Sequence, residues 1–283
     1  MKLFGSPTSP YVRKARVLIE EKSLPVEFVT EDPWAENSPI IDKNPLSKVP
    51  VLEIAPNDFI FESVLVVHFL DHVDGRSFTP RDPVGYWEAQ RWQALGNGII
   101  DAAIQRIFET RRPPEHQLRD KMEREEGRIH RAIALAENNF KGGEFLVGTR
   151  FSLADLIMGV ALQYVDFRYP HDWRATSPKL KAWHAGIAAR PAFVKTQPPD
   201  WTPPQEMLER QPYLPRFMAG GPGNPMGARA LYLGTTVYRI HGTNQPQTIG
   251  SAVSSGCFRL VNPDVIDLYD RIPVGTKVIQ LDI

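Results

Sequence analysis

Cysteine is almost absent from this chain, because a single residue, Cys257, occurs among 283. One cysteine excludes an internal disulfide and favours a reducing compartment over a secreted one. Excess charge is also absent, since 33 Lys and Arg residues balance 33 Asp and Glu residues. A formally neutral chain without a basic block gives no support for binding to nucleic acid or to an anionic membrane.

Long apolar segments are missing as well. No run approaches the roughly 20 residues that a membrane-spanning helix needs. The opening residues, MKLFGSPTSP, lack the apolar stretch and the small-residue cleavage site of a secretory signal. These absences predict a cytoplasmic location without a membrane partner. The chain is 42% hydrophobic, which is sufficient for one large domain or two ordinary ones.

Residues 1–76 predict a small α/β domain. A strand precedes a helix in which Ser9 is the N-cap and Pro10 is the first helical residue. A second strand, a hairpin and a helix from Ser63 follow. Residues 80–197 show a helical apolar period instead, which predicts an all-helical domain. We expect its helices over about 86–110, 115–140, 153–167 and 179–189.

The end of the helical domain is marked by local signals. Ser152 and Asp155 have the spacing of a helix-capping box, and we assign them to folding alone. The Pro-rich run KTQPPDWTPPQ indicates a linker, and we place the junction at 198–205. Residues 206–283 contain short strand-like stretches and one short helix, so we expect a mostly-β segment there.

Four stretches in the first 199 residues occur together and in order: GSPTSPYVRKARVLIEEK, NPLSKVPVL, FES and FSLADL. As a set they resemble the glutathione transferase family, and in particular its bacterial serine-type members. The resemblance implies a thioredoxin-like domain followed by an all-α domain. It also implies glutathione as co-substrate, a small electrophile as second substrate, no metal, and a homodimer.

The resemblance places Ser9 at the reactive thiol. A glutathione thiol has a pKa of about 8.5 and is mostly protonated at neutral pH. A hydroxyl at a helix N-terminus, beside the positive end of the helix dipole, can donate a hydrogen bond to the thiolate. We therefore expect Ser9 to be the donor, with Thr8 as the alternative hydroxyl. A plain N-cap is the competing interpretation of Ser9.

The resemblance also implies how glutathione is held. Pro50 is expected to follow a cis peptide bond, with the backbone of Val49 pairing with the cysteine of glutathione and Lys48 facing its glycine carboxylate. Glu62 and Ser63 lie at a second helix N-terminus, where backbone N–H groups suit the γ-glutamyl carboxylate. Glu62 suits the γ-glutamyl ammonium. An edge strand, a surface charge and an ordinary N-cap are the competing interpretations.

By resemblance the electrophile lies between the two domains, against the segment 101–112. Arg106, Arg111 and Arg112 favour an anionic substrate if they face the site. A solvated helix face is the competing interpretation of these charges. Tyr11 is expected either to line the site or to pack in the core.

A second resemblance begins near Trp201. The stretches GARALYLG, YRIHGTN and IGSAVSSGCFRLVNPDVIDLY are similar to the back half of an L,D-transpeptidase catalytic domain. The resemblance implies that Cys257 is the nucleophile and that His241 is the base that makes it a thiolate. The carbonyl of Gly242 would orient the imidazole. An inert buried thiol is the competing interpretation of Cys257.

Three further residues are implied at the same site. Backbone N–H groups of Gly256 and Cys257 would form an oxyanion hole. Arg259 would hold a substrate carboxylate. Ser255 stands where many relatives have His, and the Ser version also occurs in that family.

The first half of the transpeptidase domain has no counterpart in the sequence, which predicts an impaired activity of this segment. Its implied partner, peptidoglycan, lies outside the cytoplasm, in conflict with the location predicted above. A fusion of an intact transferase with a truncated transpeptidase explains both observations. The favoured hypothesis is a glutathione transferase. The alternatives are a cysteine acyl-transfer enzyme acting on peptidoglycan stem peptides and a non-catalytic glutathione-binding or dimerisation module.

Overall fold

The chain forms two compact units, Met1–Gln197 and Pro198–Ile283. The computed structural model describes residues 1–35, 37–169, 172–198, 226–227, 229–234, 236, 238–243, 246–250, 257–273 and 275–279. Most of the predicted junction at 198–205 therefore lies outside the described residues.

A four-stranded mixed sheet forms the first layer of the first unit. Its strands are β1 (Lys2–Gly5), β2 (Glu27–Thr30), β3 (Val51–Ala55) and β4 (Asp58–Phe61). They lie in the order β2-β1-β3-β4, with β1 and β2 parallel and the other pairs antiparallel. Its helices are α1 (Pro10–Lys22), α2 (Ile40–Lys43) and α3 (Ser63–His72).

The second layer of the first unit is helical, as the sequence predicts. Buried apolar side chains of this layer and of the sheet layer form one continuous core, whose members lie between Leu3 and Phe193. The helices are α4 (Pro83–Thr110), α5 (Arg119–Asn139), α6 (Leu153–Arg168), α7 (Pro178–Ala188) and α8 (Pro191–Lys195).

The start of α5 differs from the prediction. The helix was expected from residue 115 but begins at Arg119, after a separate 3-10 turn at Pro114–His116. Pro114 has no amide hydrogen for a helical bond. The amide of Leu118 donates to the carboxylate of Glu109 at 2.8 Å, which replaces the helical bond that a continuous helix would supply.

The capping box at the start of α6 is confirmed. Oδ2 of Asp155 accepts hydrogen bonds from the amide and the hydroxyl of Ser152 at 2.9 and 2.8 Å. Oδ1 accepts from the amide of Leu146 at 2.7 Å and from the indole of Trp183 at 3.0 Å. Burial raises the pKa of this carboxyl group, and the donors act in the opposite direction. Asp155 therefore joins α6, the preceding loop and α7.

Helices α4 and α6 approach closely at a glycine. A Cβ added at Gly96 would lie 2.9 Å from Cγ2 of Ile157 and 3.2 Å from its backbone carbonyl carbon. These separations are shorter than normal carbon–carbon contacts. The absence of a side chain at Gly96 thus sets the spacing of the two helices.

The second unit contains a small sheet and a helix in its described part. The strands β5 (Ala230–Tyr232), β6 (Arg239–His241) and β7 (Phe258–Arg259) lie in that order, with β5 and β6 antiparallel and β6 and β7 parallel. Helix α9 (Asn262–Arg271) packs on β5 and β6.

Two features are absent from the described ranges. None of the helices there combines the length and the apolar character needed to cross a membrane. Within the same ranges, no three His, Cys, Asp or Glu side chains are grouped as a metal site would require.

Candidate functional site

Ser9 caps α1, and Pro10 is the first helical residue, as predicted. Oγ of Ser9 accepts the amide hydrogen of Val12 at an N–O distance of 3.4 Å. This accepting role leaves the hydroxyl hydrogen for donation to another group. The alternative hydroxyl, that of Thr8, lies 3.1 Å from Oγ of Ser6. Of the two hydroxyls, that of Ser9 is the one that caps this helix end.

The peptide bond between Val49 and Pro50 is cis, in agreement with the resemblance. Pro50 is buried directly before β3, Val49 is half-buried and Lys48 is exposed. Asn44 fixes the preceding loop, because its Nδ2 donates to the carbonyl of Lys48 at 2.8 Å and its Oδ1 accepts from the amide of Leu46 at 3.0 Å. Asn44 thus holds the loop that leads to the cis peptide bond and β3.

Glu62, the N-cap of α3, has an unusual backbone conformation with φ 73° and ψ 123°. Its Oε2 accepts from the amide of Val64 at 3.0 Å, and its Oε1 accepts from the hydroxyl of Ser63 at 3.3 Å. Non-glycine residues at positive φ are uncommon and cluster at functional sites. An exposed carboxylate beside a helix N-terminus offers one group for a cation and backbone amides for an anion.

A buried lysine lies beside this helix end. Lys14 of α1 has no exposed surface, and its Nζ donates to Oγ of Ser63 at 3.0 Å and to Oδ1 of Asn97 at 2.6 Å. Desolvation lowers the pKa of Lys14 to about 8, and the carboxylates of Glu62 and Asp101 act in the opposite direction. One positive charge thus joins α1, α3 and α4.

Tyr11 connects the first turn of α1 to α4. Its hydroxyl donates to Oδ1 of Asp101. Burial, and then this hydrogen bond, raise the pKa of Tyr11 far above its usual value. The residue beside Ser9–Pro10 therefore forms a hydrogen bond with the helix that the resemblance assigns to the electrophile site.

The three arginines expected at the electrophile site differ in their partners. Nε of Arg106 lies 3.8 Å from the carboxylate of Glu126. Nη1 of Arg112 lies 3.5 Å from the carboxylate of Glu109. These two guanidinium groups are therefore engaged in ion pairs. Arg111 differs from these two, because it lies within electrostatic range of Arg168 on α6.

In the second unit, the buried His241 ends β6, and its Nδ1 lies 2.5 Å from the carbonyl oxygen of Gly242. A ring nitrogen that contacts a carbonyl oxygen donates its hydrogen, so the neutral imidazole keeps its lone pair on Nε2. Strand β7 pairs with β6 so that Arg259 lies opposite His241. Cys257 lies directly before β7, two residues before Arg259.

Arg259 has a partner within the second unit. Its guanidinium donates to Oγ1 of Thr248 at 2.8 Å and to the carbonyl of Thr248 at 2.9 Å. A substrate carboxylate would have to share the guanidinium with this turn. Cys257 is half-buried directly before β7. The predicted residues Ser255 and Gly256 lie outside the described residues.

Lys14 and Asn97 were missed as site residues. They lie 83 positions apart, on helices of different layers. No local signal in the sequence identified Lys14, because the burial of every residue from Val12 to Ile19 is a property of the folded chain. A lysine that the chain cannot expose needs hydrogen-bond acceptors.

Three family models match the chain. The Glutathione S-transferase N-terminal domain matches residues 3–77, and the C-terminal domain matches residues 119–186. The GST-like protein YibF of Escherichia coli is 31% identical over 201 residues, which cover 70% of this chain and 99% of that protein. A crystal structure of a glutathione S-transferase from Methylobacillus flagellatus, with glutathione bound, matches with a TM-score of 0.66 and 33% identity. It covers 69% of this chain and 98% of that one.

The third family model, the L,D-transpeptidase catalytic domain, matches residues 189–279. The probable L,D-transpeptidase ErfK/SrfK of Escherichia coli is 47% identical over 92 residues, which cover 31% of this chain and 29% of that protein. The chain therefore spans less than a third of this relative. It follows that the chain belongs to the glutathione S-transferase family through its first unit and also carries a segment of an L,D-transpeptidase catalytic domain.

Proposed function

We propose that the first unit is a glutathione S-transferase that activates the thiol of glutathione at the N-terminus of α1 for attack on a small electrophile. The observation that carries this proposal is the capping geometry of Ser9, whose oxygen accepts from Val12 while its hydrogen remains to be donated. Donation to sulfur and the helix dipole both favour thiolate over thiol. Ser9 acts as a hydrogen-bond donor. It cannot act as a base, because only its alkoxide would take the thiol proton and a serine hydroxyl is far too weak an acid to ionise at neutral pH.

The binding residues suit a tripeptide that is charged at both ends. The backbone of Val49 would pair with the cysteine of glutathione, and the exposed ammonium of Lys48 would face its glycine carboxylate. Glu62 would bind the γ-glutamyl ammonium. The amides at the start of α3, with the hydroxyl of Ser63, would bind the γ-glutamyl carboxylate. A homodimer stays a prediction from the resemblance.

Ser9→Ala tests the thiolate role. We expect the kcat/KM of conjugation to fall about a hundredfold, as when a donor to a reactive anion is removed, with a smaller change in the KM for glutathione. The pKa of the bound thiol, followed by thiolate absorbance, should rise. Thr8→Val is the matched control and should keep both values. Equal rates for Ser9→Ala and the wild type would remove Ser9 from the mechanism.

Glutathione binding has a separate test in a thermal melt. A ligand at about 100 times its Kd stabilises the protein that binds it by about 2.7 kcal/mol. We expect reduced glutathione to raise the Tm of the first unit and Glu62→Ala to weaken that shift. A cooperative melt that glutathione does not move would contradict the proposed binding site.

The second unit has a candidate function of its own, cysteine acyl transfer on peptidoglycan stem peptides. The pairing of β6 and β7 favours it, because Arg259 lies opposite His241 and Cys257 precedes Arg259 by two residues. If the strand alternation continues to Cys257, its side chain and that of His241 would share one face of the sheet. Nε2 of His241 would take the thiol proton. The thiolate would attack an acyl carbonyl, release the donor amine and form a thioester, which an acceptor amine would then open.

Alkylation of Cys257 by iodoacetamide over a range of pH tests this second function. At neutral pH an activated thiol should be alkylated faster than an ordinary cysteine, and His241→Ala should slow the reaction to the rate of an unactivated thiol. Identical profiles for the two proteins would exclude His241 as the base.

A further inference from the structure

We propose that the electrophile site selects an elongated aromatic substrate that carries a carboxylate, or a similar organic anion, at the end remote from the reacting carbon. Arg111 and Arg168 would hold that anion. The inference rests on the proposed transferase function and names the substrate class of that same site.

Aromatic side chains hold the guanidinium of Arg168 in place, but no carboxylate in the described part of the chain pairs with it. Its guanidinium stacks 4.2 Å from the ring centroid of Phe167 and interacts with the hydroxyl of Tyr164, one turn earlier on α6. Its Nε is buried and has no hydrogen-bond partner in the described part of the chain. The adjacent acid Asp166 pairs with Arg174 at 2.6 Å instead. A buried donor without an acceptor is unfavourable unless a ligand supplies one.

Arg111, the C-cap of α4, adds a second positive charge. It lies close enough to Arg168 and Tyr164 to act on both electrostatically. The adjacent carboxylate of Glu109 faces Arg112 and Lys121. No acid joins Arg111 and Arg168 among the residues that the structure describes. Two guanidinium groups that repel each other without a counter-ion are stabilised by a bound anion.

Tyr11 relates this pair to the thiolate site. Tyr11 follows Ser9–Pro10 in the first turn of α1, and it lies within electrostatic range of Tyr164. Asp101, which accepts its hydrogen bond, and Arg111 are separated by roughly 15 Å along the axis of α4, at the rise of a regular helix. Asp101 therefore lies on the part of α4 that is nearer the glutathione sulfur, and the arginines lie near the C-terminal end of this helix. An elongated anion bound by the arginines would have its reactive end toward Ser9.

An exposed aromatic pair lies beside Arg111. The rings of Trp34 and Phe108 meet edge to face with centroids 5.6 Å apart, and Trp34 is 74% exposed. Phe108 precedes Arg111 by three residues, so the two side chains lie on adjacent positions of one helix face. An aromatic body between the reactive carbon and the anion suits this surface.

Ethacrynate and its methyl ester test the proposal as a matched pair, because both carry the same enone and aryl ring and one lacks the negative charge. In each addition the sulfur bonds to the terminal vinyl carbon, and the C=C electron pair forms an enolate. The enolate then takes a proton from solvent in place of the thiol proton. Rates are corrected for the uncatalysed addition.

We expect the ratio of kcat/KM for the acid to that for the ester to fall about tenfold in Arg168→Gln and in Arg111→Gln, as for the loss of one charge-assisted contact. Arg111 is exposed, so its variant keeps the test valid if Arg168→Gln folds poorly. Arg112→Gln, whose guanidinium pairs with Glu109, is the matched control and should keep the ratio. An unchanged ratio in both test variants, or an equal fall in Arg112→Gln, would overturn the proposal.

Binding of the saturated analogue, dihydroethacrynate, separates this inference from the proposed function. Calorimetry in the presence of glutathione should give a Kd about tenfold weaker for Arg168→Gln than for the wild type. If neither ethacrynate nor its ester is turned over, the transferase proposal fails on those probes, and the weaker Kd still supports the anion site. An equal Kd in the two proteins rejects the anion site, whether or not the ester is turned over.

Discussion

The two units carry equally specific sequence motifs, but the hydrophobic cores that support these motifs differ greatly in size. In the first unit, the site residues lie on elements that share one continuous core between Leu3 and Phe193. In the second, His241 and Cys257 lie on or beside strands of two and three residues, and the buried apolar side chains of its described part are Met226 and Val265. A motif of a few residues identifies an ancestry. The free energy that holds it in place comes from buried area.

The largest change in the free energy of unfolding should come from replacing Asp155, the buried acid of the first unit. Asp155→Ala leaves the amide of Leu146, the indole of Trp183 and both donors of Ser152 without their acceptor. We expect the free energy of unfolding to fall by about 3–5 kcal/mol in urea titrations. Ser152→Ala, which removes one donor and the cap, should cost about 1 kcal/mol. A loss for Asp155→Ala no larger than that of Ser152→Ala would contradict the described network.

Replacing Lys14 should change the free energy of unfolding by a comparable amount, and this change should depend on pH. Its pKa is lowered from 10.5 to about 8 on folding, so between these values the unfolded chain binds more protons than the folded chain. Stability should therefore rise through this window. The difference in unfolding free energy, wild type minus Lys14→Met, should increase by about 3 kcal/mol from neutral pH to about pH 10.5. A difference that does not change with pH would show that folding does not lower the pKa of Lys14.

The same variant tests the neighbouring glutathione site. Below about pH 8 the charged Lys14 supports Ser63 beside the start of α3. The KM for glutathione should therefore be lower in the wild type than in Lys14→Met, and this advantage should disappear at higher pH. Lys2→Met, which changes an exposed lysine of β1, is the control and should follow the wild type at every pH.

A smaller effect is expected at a glycine of the second unit. A Cβ added at Gly227 would lie 2.2 Å from Oδ1 of Asn262 and 2.4 Å from the amide nitrogen of Thr243, and the backbone has φ +64°. Gly227→Ala should destabilise this unit by about 1–3 kcal/mol, measured as faster alkylation or proteolysis near Cys257. Gly234→Ala is the control, because Gly234 has φ +60° and no atom of the described residues lies within 4 Å of the added Cβ. Its effect measures the cost of the backbone conformation without a steric contact. Equal effects of the two variants would show that the close contact is not formed.

The smallest effect should follow from removing residues 198–283. Every member of the main core lies before that point, so the unfolding free energy of the first unit should change by less than about 0.5 kcal/mol. A melt of the shortened chain beside the full chain measures this. A loss of several degrees would show that the second unit supports the first, and the contrast between the two would then be wrong.

Local sequence rules predicted the parts of the fold that adjacent residues determine. Ser9 and Pro10 start α1 as expected, and Ser152 with Asp155 starts α6, because a cap depends on neighbours within one turn. The bonds from Asp155 to Leu146 and Trp183 were not predictable, since these partners lie 9 and 28 positions away.

The rest of the candidate site depended on resemblance or was missed. The cis bond before Pro50 followed from the resemblance alone, because no local pattern distinguishes it from a trans X–Pro bond. Lys14 was missed because α1 seemed to have one buried face, whereas its Arg13 and Lys14 are buried as well. Arg168 was missed because the expected pocket was sought on α4, and its nearness to Arg111 arises from the packing of α6.

If Arg111 holds an anion as proposed, the close contact between Gly96 and Ile157 becomes a point from which the length of an accepted substrate can be changed. Arg111 lies fifteen residues beyond Gly96, which is roughly 22 Å along a regular helix. A small rotation of α4 about the contact would therefore move Arg111 much more than it moves the residues beside Gly96. A methyl group at that one buried position would then change the distance at which an anion is held from the sulfur. Relatives that differ at this position would then accept shorter or longer molecules of the same chemical class.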